Sequence, residues 1–328
     1  MTKMMKRGIA MFTLLLAISI GIIYYTIDLE ALQTLSTFNW ESLLLAILAL
    51  AIGMYFDGLR LQRLVKIGGY HLSIHAVLRV IFSNYFMAML TPGASGGAVA
   101  QVLVLKTYGV PLEKGTPIVL IRTVFSIIFL IVMLPIIFLY DPMDIPYISR
   151  DILLIFAMLV VLATLIGTYV LQTKYMRQFV YTLANRFKAH KTRDWLAKLD
   201  TLNQGFGLLY KKPLQSFFVF VESGLSLISL YCISPALMFA FITDVPIIQI
   251  LDRMIVLNLI LYFAPTPGGV GIAEGLFIML FAPYVPSGTV GIIAVAWRVM
   301  AEYVPFFIGM YGTLTLYGRQ FVARETSS

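Results

Sequence analysis

Two stretches of this chain have the composition to bind an anion inside an apolar environment, and they are copies of one another. The first reads Thr91-Pro92-Gly93-Ala94-Ser95-Gly96-Gly97-Ala98, and the second Thr266-Pro267-Gly268-Gly269-Val270-Gly271-Ile272-Ala273. Each has an asparagine upstream (Asn84, Asn258) and an arginine downstream (Arg122, Arg298), and every matched pair is separated by about 175 positions. Proline removes a backbone donor and glycine frees the chain, so a helix must break at each copy. A helix that restarts after such a turn presents unpaired N–H groups and the positive end of its dipole. In hydrocarbon those donors need a partner, and a phosphate can approach closely where there is no side chain. The candidate substrate-binding residues are Asn84, Thr91, Pro92, Gly93, Gly96, Gly97 and Arg122 in the first copy. In the second they are Asn258, Thr266, Pro267, Gly268, Gly269, Gly271, Glu274, Arg298 and Glu302. The competing reading is that the glycines serve only close helix packing, as small residues do in membranes.

The charges near the second copy sharpen the choice. Arg298 lies about ten residues, or roughly 15 Å, inside its apolar run, and Glu302 is one helical turn on, where it can pair with it. Ionisable residues at that depth are functional candidates, because leaving them unpaired is costly. Glu274 falls in the first turn after the break, where a carboxylate can cap its own helix or carry a proton. Arg122 is close enough to a membrane face to snorkel, so it has both a functional and a structural reading. Asp57 and Arg79 read as interfacial, and Glu222 and Asp252 as partners for Arg253 or another buried base.

The elements that must position these residues are membrane helices. Of the 328 residues, 60% are hydrophobic and only 12% charged, so most of the chain sits in lipid. The expected fold is an all-α polytopic membrane protein with about six full spans and two re-entrant broken-helix hairpins. The runs are Gly8 to Ile27, Leu43 to Phe56, a hairpin around 74–106, Thr116 to Tyr140, Ile152 to Leu171, Leu214 to Ser234, a hairpin around 245–284, and Gly288 to Leu316. The first run has no small-residue cleavage site and reads as a retained anchor. Lys3, Lys6 and Arg7, then Arg60, Arg63 and Lys66, place both chain ends on the cytoplasmic side of the cell membrane under the positive-inside rule. The acidic loop Asp141 to Asp144 faces outward. An odd number of crossings separates the breaks, so the second hairpin enters from the opposite face and the halves form an inverted-topology repeat. The first half is 1–172 and the second 214–328.

Between them, 173–213 is a basic linker with nine Lys or Arg residues against Asp194 and Asp200, nearly the whole net charge of +8. Phe179, Leu183 and Phe187, then Trp195, Leu199, Leu202 and Phe206, recur at helical spacing. Amphipathic helices lying on an anionic cytoplasmic leaflet account for both features, and a nucleic-acid partner is not expected. One cysteine, Cys232, excludes an internal disulfide, and His71, His75 and His190 form no ligand-spaced set. Neither a metal nor another cofactor is expected.

The stretch Ala264-Pro265-Thr266-Pro267-Gly268-Gly269-Val270-Gly271-Ile272-Ala273-Glu274-Gly275, with Trp297-Arg298 downstream, resembles the signature of a flippase-like membrane family. That family includes the transmembrane region of lysylphosphatidylglycerol synthase. Asn84 through Gly97, with Gln101, resembles the family's earlier motif, although Ala98-Val99-Ala100 stands where relatives often carry a charge. The resemblance implies a stand-alone member, without the synthase domain, that translocates a lipid with a phosphate headgroup. Anionic membrane lipids, including aminoacylated ones, are the implied substrates. Some relatives are joined to glycosyltransferases, so a polyprenyl-phosphate carrier is a second class, and a lipid-modifying enzyme or glycosyltransferase is the implied partner. A secondary transporter of a small anionic solute is the alternative, since a carboxylate would suit the same helix starts. An intramembrane lipid-phosphate enzyme is disfavoured, because the sequence offers no nucleophile–base pair or paired midplane carboxylates. The chain is therefore expected not to be an enzyme.

Overall fold

The computed structural model describes residues 39–140 and 212–325, with isolated positions between 151 and 207. The expected amino-terminal anchor, the acidic loop, and most of the expected 152–171 span and of the basic linker lie outside the described residues. Among the described residues all regular structure is helical: α1 (Trp40–Ile67), α2 (Ile74–Met89), α3 (Ser95–Thr107), α4 (Leu112–Tyr140), α5 (Pro213–Tyr231), α6 (Ile233–Met238), α7 (Ile247–Leu261), α8 (Ile272–Phe281), α9 (Val290–Arg298) and α10 (Val304–Glu325). Short 3-10 turns, Pro92–Ala94 and Pro267–Gly269, join α2 to α3 and α7 to α8, and a π-helical turn, Val299–Tyr303, joins α9 to α10. Both helix breaks are where the Thr-Pro-Gly copies require them.

Five described segments are long and apolar enough to cross a membrane: Trp40–Ile67, Leu112–Ile137, Pro213–Met238, Pro267–Tyr284 and Val290–Leu316. The chain is an all-α, multi-pass membrane protein. The fourth of these segments contains the second break, so by length the arm expected to turn back could also cross. The side-chain pattern along α1 is that of a helix bathed in lipid. Leu44, Leu45 and Leu48 point outward, whereas Ser42, Ala46 and Ala49 are buried. Small residues inside and large ones outside let backbones approach when lipid is as apolar as leucine.

The described helices gather into two compact units that interleave along the chain. One takes residues up to Gly58, Ile74–Val104 and Leu225–Ser328; the other takes Leu59–Ser73 and Leu105–Gly224. In the first unit α1 packs on α5 and α6, where Ser42 donates to the Ala236 carbonyl and Ser226 Oγ donates to the Gly53 carbonyl at 2.9 Å. The same unit contains the closest helix pairing among the described residues, α2 against α10. A Cβ on Gly309 would collide with the carbonyl of Phe82, and Phe86 meets Phe306 at 5.4 Å beside it. In the second unit Phe220 of α5 packs between Phe125 and Phe129 of α4, and Gly224 admits the Phe129 ring.

Candidate functional site

Both breaks belong to the first unit, and their backbones repeat one another. Gly93 (φ 59°, ψ 25°) and Gly268 (φ 58°, ψ 14°) occupy the left-handed region, and the next residue follows in each case, Ala94 at φ 53° and Gly269 at φ 68°. Two consecutive left-handed residues turn the chain sharply enough to bring the second arm back on the first. The turns touch. A Cβ on Gly268 would pack on Met89, the last residue of α2, and one on Gly93 would stand 4.0 Å from the Ala264 carbonyl oxygen. The sequence copies thus converge on one place.

The first break is held by neutral groups. Thr91 Oγ1 donates to the Met87 carbonyl at 2.8 Å and accepts the Gly96 N–H at 2.8 Å, capping α3. Gln101 Nε2 donates to Asn84 Oδ1 at 2.8 Å and ties the two arms together. Gly96 and Gly97 lie where a Cβ would collide with Thr91 and with Asn84, so close approach of α3 to α2 explains both glycines. Gly93, Ala94 and Ser95, at the tip, are exposed.

The second break is held by charge. Arg298 Nη2 donates to the Gly268 carbonyl at 2.9 Å, and its Nε donates to Glu274 Oε1 at 3.0 Å. Its Nη1 lies 2.8 Å from Glu302 Oε1. Glu274 Oε2 accepts the Gly271 N–H at 2.7 Å, closing the start of α8. Arg298 is 1% exposed, and it clamps the turn through hydrogen bonds from Nε and Nη2, while Nη1 makes an ion pair with Glu302 but no hydrogen bond. Trp297 stacks on Phe277 with centroids 5.0 Å apart, which fixes α9 against α8 and sets the reach of the arginine. Pro305 follows the π turn; its missing N–H cannot bond one turn back, and the Val304 N–H bonds the Val299 carbonyl instead.

The remaining sequence candidates are placed less centrally. Asn258 Nδ2 turns back to the Met254 carbonyl at 2.8 Å on its own helix. Thr266 Oγ1 is buried with no hydrogen-bond partner. Pro92 and Pro267 open the two 3-10 turns. Arg122 is buried in the second unit, not in the unit that holds the breaks, and its carbonyl accepts a bond from Ser126 Oγ at 3.3 Å.

The second unit also holds an ionic grouping: Arg60 and Arg63 read from the sequence as flanking charge, and Glu222 as a partner for Arg253 or another buried base, yet Glu222 meets Arg63. Arg63 Nε lies 3.0 Å from each carboxylate oxygen of Glu222, with its guanidinium 5.0 Å from the Phe218 ring centroid. Arg60 Nη1 donates to Ser126 Oγ at 2.7 Å.

Comparison with known proteins agrees with this architecture. The chain is 20% identical over 307 residues to a protein of Archaeoglobus fulgidus described as a UPF0104 membrane protein, covering 90% of this chain and 92% of that one. At that identity the likeness extends nearly end to end, through both broken helices. Residues 12–309 match the profile described as the lysylphosphatidylglycerol synthase TM region, and the chain belongs to that family.

Proposed function

We propose that this protein moves a lipid with an anionic or aminoacylated phosphate headgroup, or a polyprenyl-phosphate-linked lipid, between the leaflets of the cell membrane. The observation that carries the reading is the convergence of two like-built helix breaks within one unit of a multi-pass membrane protein. Irregular backbone is tolerated at membrane depth where it is enclosed or lines a cavity, and paired broken helices are the usual frame of a transport site. The division of labour between the breaks refines the reading. The second break is locked by Arg298, so the headgroup meets the exposed first turn, Gly93 to Ser95, at the start of α3.

On this reading the two hairpins enter from opposite faces, both chain ends are cytoplasmic, and the basic linker rests on anionic lipid. A lipid-modifying enzyme or a glycosyltransferase supplies the substrate. The protein itself makes and breaks no covalent bond. The test is reconstitution of the full chain into vesicles carrying headgroup-labelled phosphatidylglycerol, its lysyl ester or a polyprenyl phosphate. One of these should equilibrate between leaflets faster than in protein-free vesicles, and Gly93→Leu should abolish the acceleration. No acceleration with any of the three would overturn the reading, and uptake of a water-soluble anion without lipid movement would reassign the protein to solute transport.

A further inference from the structure

The clamp at the second break carries one carboxylate too many for its arginine. Arg298 contributes one positive charge, Glu274 and Glu302 two negative ones, inside helices that are otherwise apolar. A guanidinium can neutralise one carboxylate; a second one at the same place keeps an uncompensated charge away from water, which is costly. The two acids are held unequally. Glu274 uses both oxygens, one toward Arg298 Nε and the other toward the Gly271 N–H, and its side chain is 4% exposed. Glu302 meets Arg298 through one oxygen, and its side chain is 24% exposed. It stands on the π-helical turn, a helix irregularity that is frequent at functional sites. The inner acid is therefore structural, and the outer one is free to change its charge without undoing the turn.

We propose that Glu302 is a proton-binding site that couples lipid movement to a proton gradient. The proposal rests on the translocase reading above and adds its energy source. A proton from the aqueous phase neutralises the Glu302 carboxylate, leaving an Arg298–Glu274 pair of zero net charge. The proton later returns to water, and the negative charge is restored. The charged groups that face Glu302 are Arg298 of α9 and Glu274 of α8, and Tyr303 is its chain neighbour. Helix α2, packed on α10, carries His75, Arg79 and Tyr85, whereas α6, packed on α9, carries no titratable side chain. Arg298 and Glu274 are the immediate partners that set the site.

Two measurements on the full chain in lipid separate this proposal from the one beneath it. The first is pH-difference infrared spectroscopy of the purified protein, which reads the C=O stretch of a protonated carboxylic acid directly. The band should be present in the wild type, lost in Glu302→Gln and retained in Glu113→Gln, an exposed control at the start of α4. Glutamine keeps the size of the side chain, and Glu302→Asp, which keeps the acid, should restore a shifted band. A wild-type band unaltered by Glu302→Gln, or no band at all, overturns the proton site. The second is headgroup flipping in vesicles with a pH gradient of either sign. The wild type should speed up under one sign, and Glu302→Gln should respond to neither. An identical gradient response in both proteins overturns the coupling. If the Glu302 band is present but wild-type vesicles flip none of the three lipids, the proton site stands and the translocase reading falls.

Discussion

The two helix breaks have nearly the same backbone and almost nothing else in common. At the first, the N–H of Gly96 is satisfied from behind, by the hydroxyl of Thr91. At the second, the N–H of Gly271, the matched position, is satisfied from ahead, by the carboxylate of Glu274. The Thr266 hydroxyl, displaced from that role, is left buried without a partner. The arms differ in the same sense. Asn84 reaches Gln101 across the first hairpin, whereas Asn258 folds back onto its own helix, and Leu276 stands where a counterpart of Gln101 would be. The duplication preserved the turn, which backbone sterics dictate, and let the groups that hold it diverge. One copy became neutral and open at its tip, the other charged and closed.

That contrast is best broken at its strongest link. Arg298→Met leaves the buried Glu274 and the half-buried Glu302 without this arginine and should cost about 3–5 kcal/mol of unfolding free energy. Removing the carboxylates as well, through Glu274→Gln and Glu302→Gln in the same chain, should recover much of the loss. Titration with sodium dodecyl sulfate in mixed micelles, followed by helical circular dichroism, measures both; equal stability of the single and triple variants would mean that the charges do not hold the break. Arg298→Met with Glu302→Met alone should not recover fully, because the buried Glu274 would still lack the arginine that it meets at 3.0 Å.

A smaller effect is expected at the first hairpin. Gly97→Ala forces a methyl group against Asn84 and should cost about 1–3 kcal/mol by the same titration, the usual penalty for overpacking. The matched residue in the second copy is already Ile272, so Ile272→Ala should cost through lost contact instead, and the two arms should respond with opposite changes in packing volume. The smallest and sharpest test uses the two threonines. Thr91→Val removes a helix cap and should cost about 0.5–2 kcal/mol. Thr266→Val replaces a buried hydroxyl that bonds nothing and should be neutral or slightly stabilising. Equal losses at both positions would show that the hydroxyls play the same part after all.

Much of this architecture is legible in the sequence. The Thr-Pro-Gly copies announce the breaks, because proline and consecutive glycines cannot continue a helix. The i,i+4 spacing of Arg298 and Glu302 announces their pairing, and the place of Glu274 announces its cap. The bond between Glu274 and Arg298 is not legible. The residues are 24 positions apart, and their meeting depends on α8 packing against α9 through Phe277 and Trp297. Nor does the sequence show that Arg298 is enclosed: an arginine at membrane depth reads equally well as a ligand group or as a clamp until its donors are traced. Arg63 and Glu222 illustrate the same limit across 159 positions. Arg122 matches Arg298 in sequence offset, yet it belongs to the other unit, since a repeat in sequence does not oblige its members to keep the same neighbours.

The seam between α2 and α10 has a mechanical consequence. Where Gly309 lies on the Phe82 carbonyl, main chain rests on main chain, and no side chain can yield to let the helices slip. The two helices are held together at that seam, and the first break is mounted at the end of α2. Any stroke that displaces Gly93 therefore drags the carboxy-terminal helix with it, and the bending falls on the π turn ahead of Pro305. That turn is the irregular step between α9 and the carboxy-terminal helix, and Glu302 is built into it.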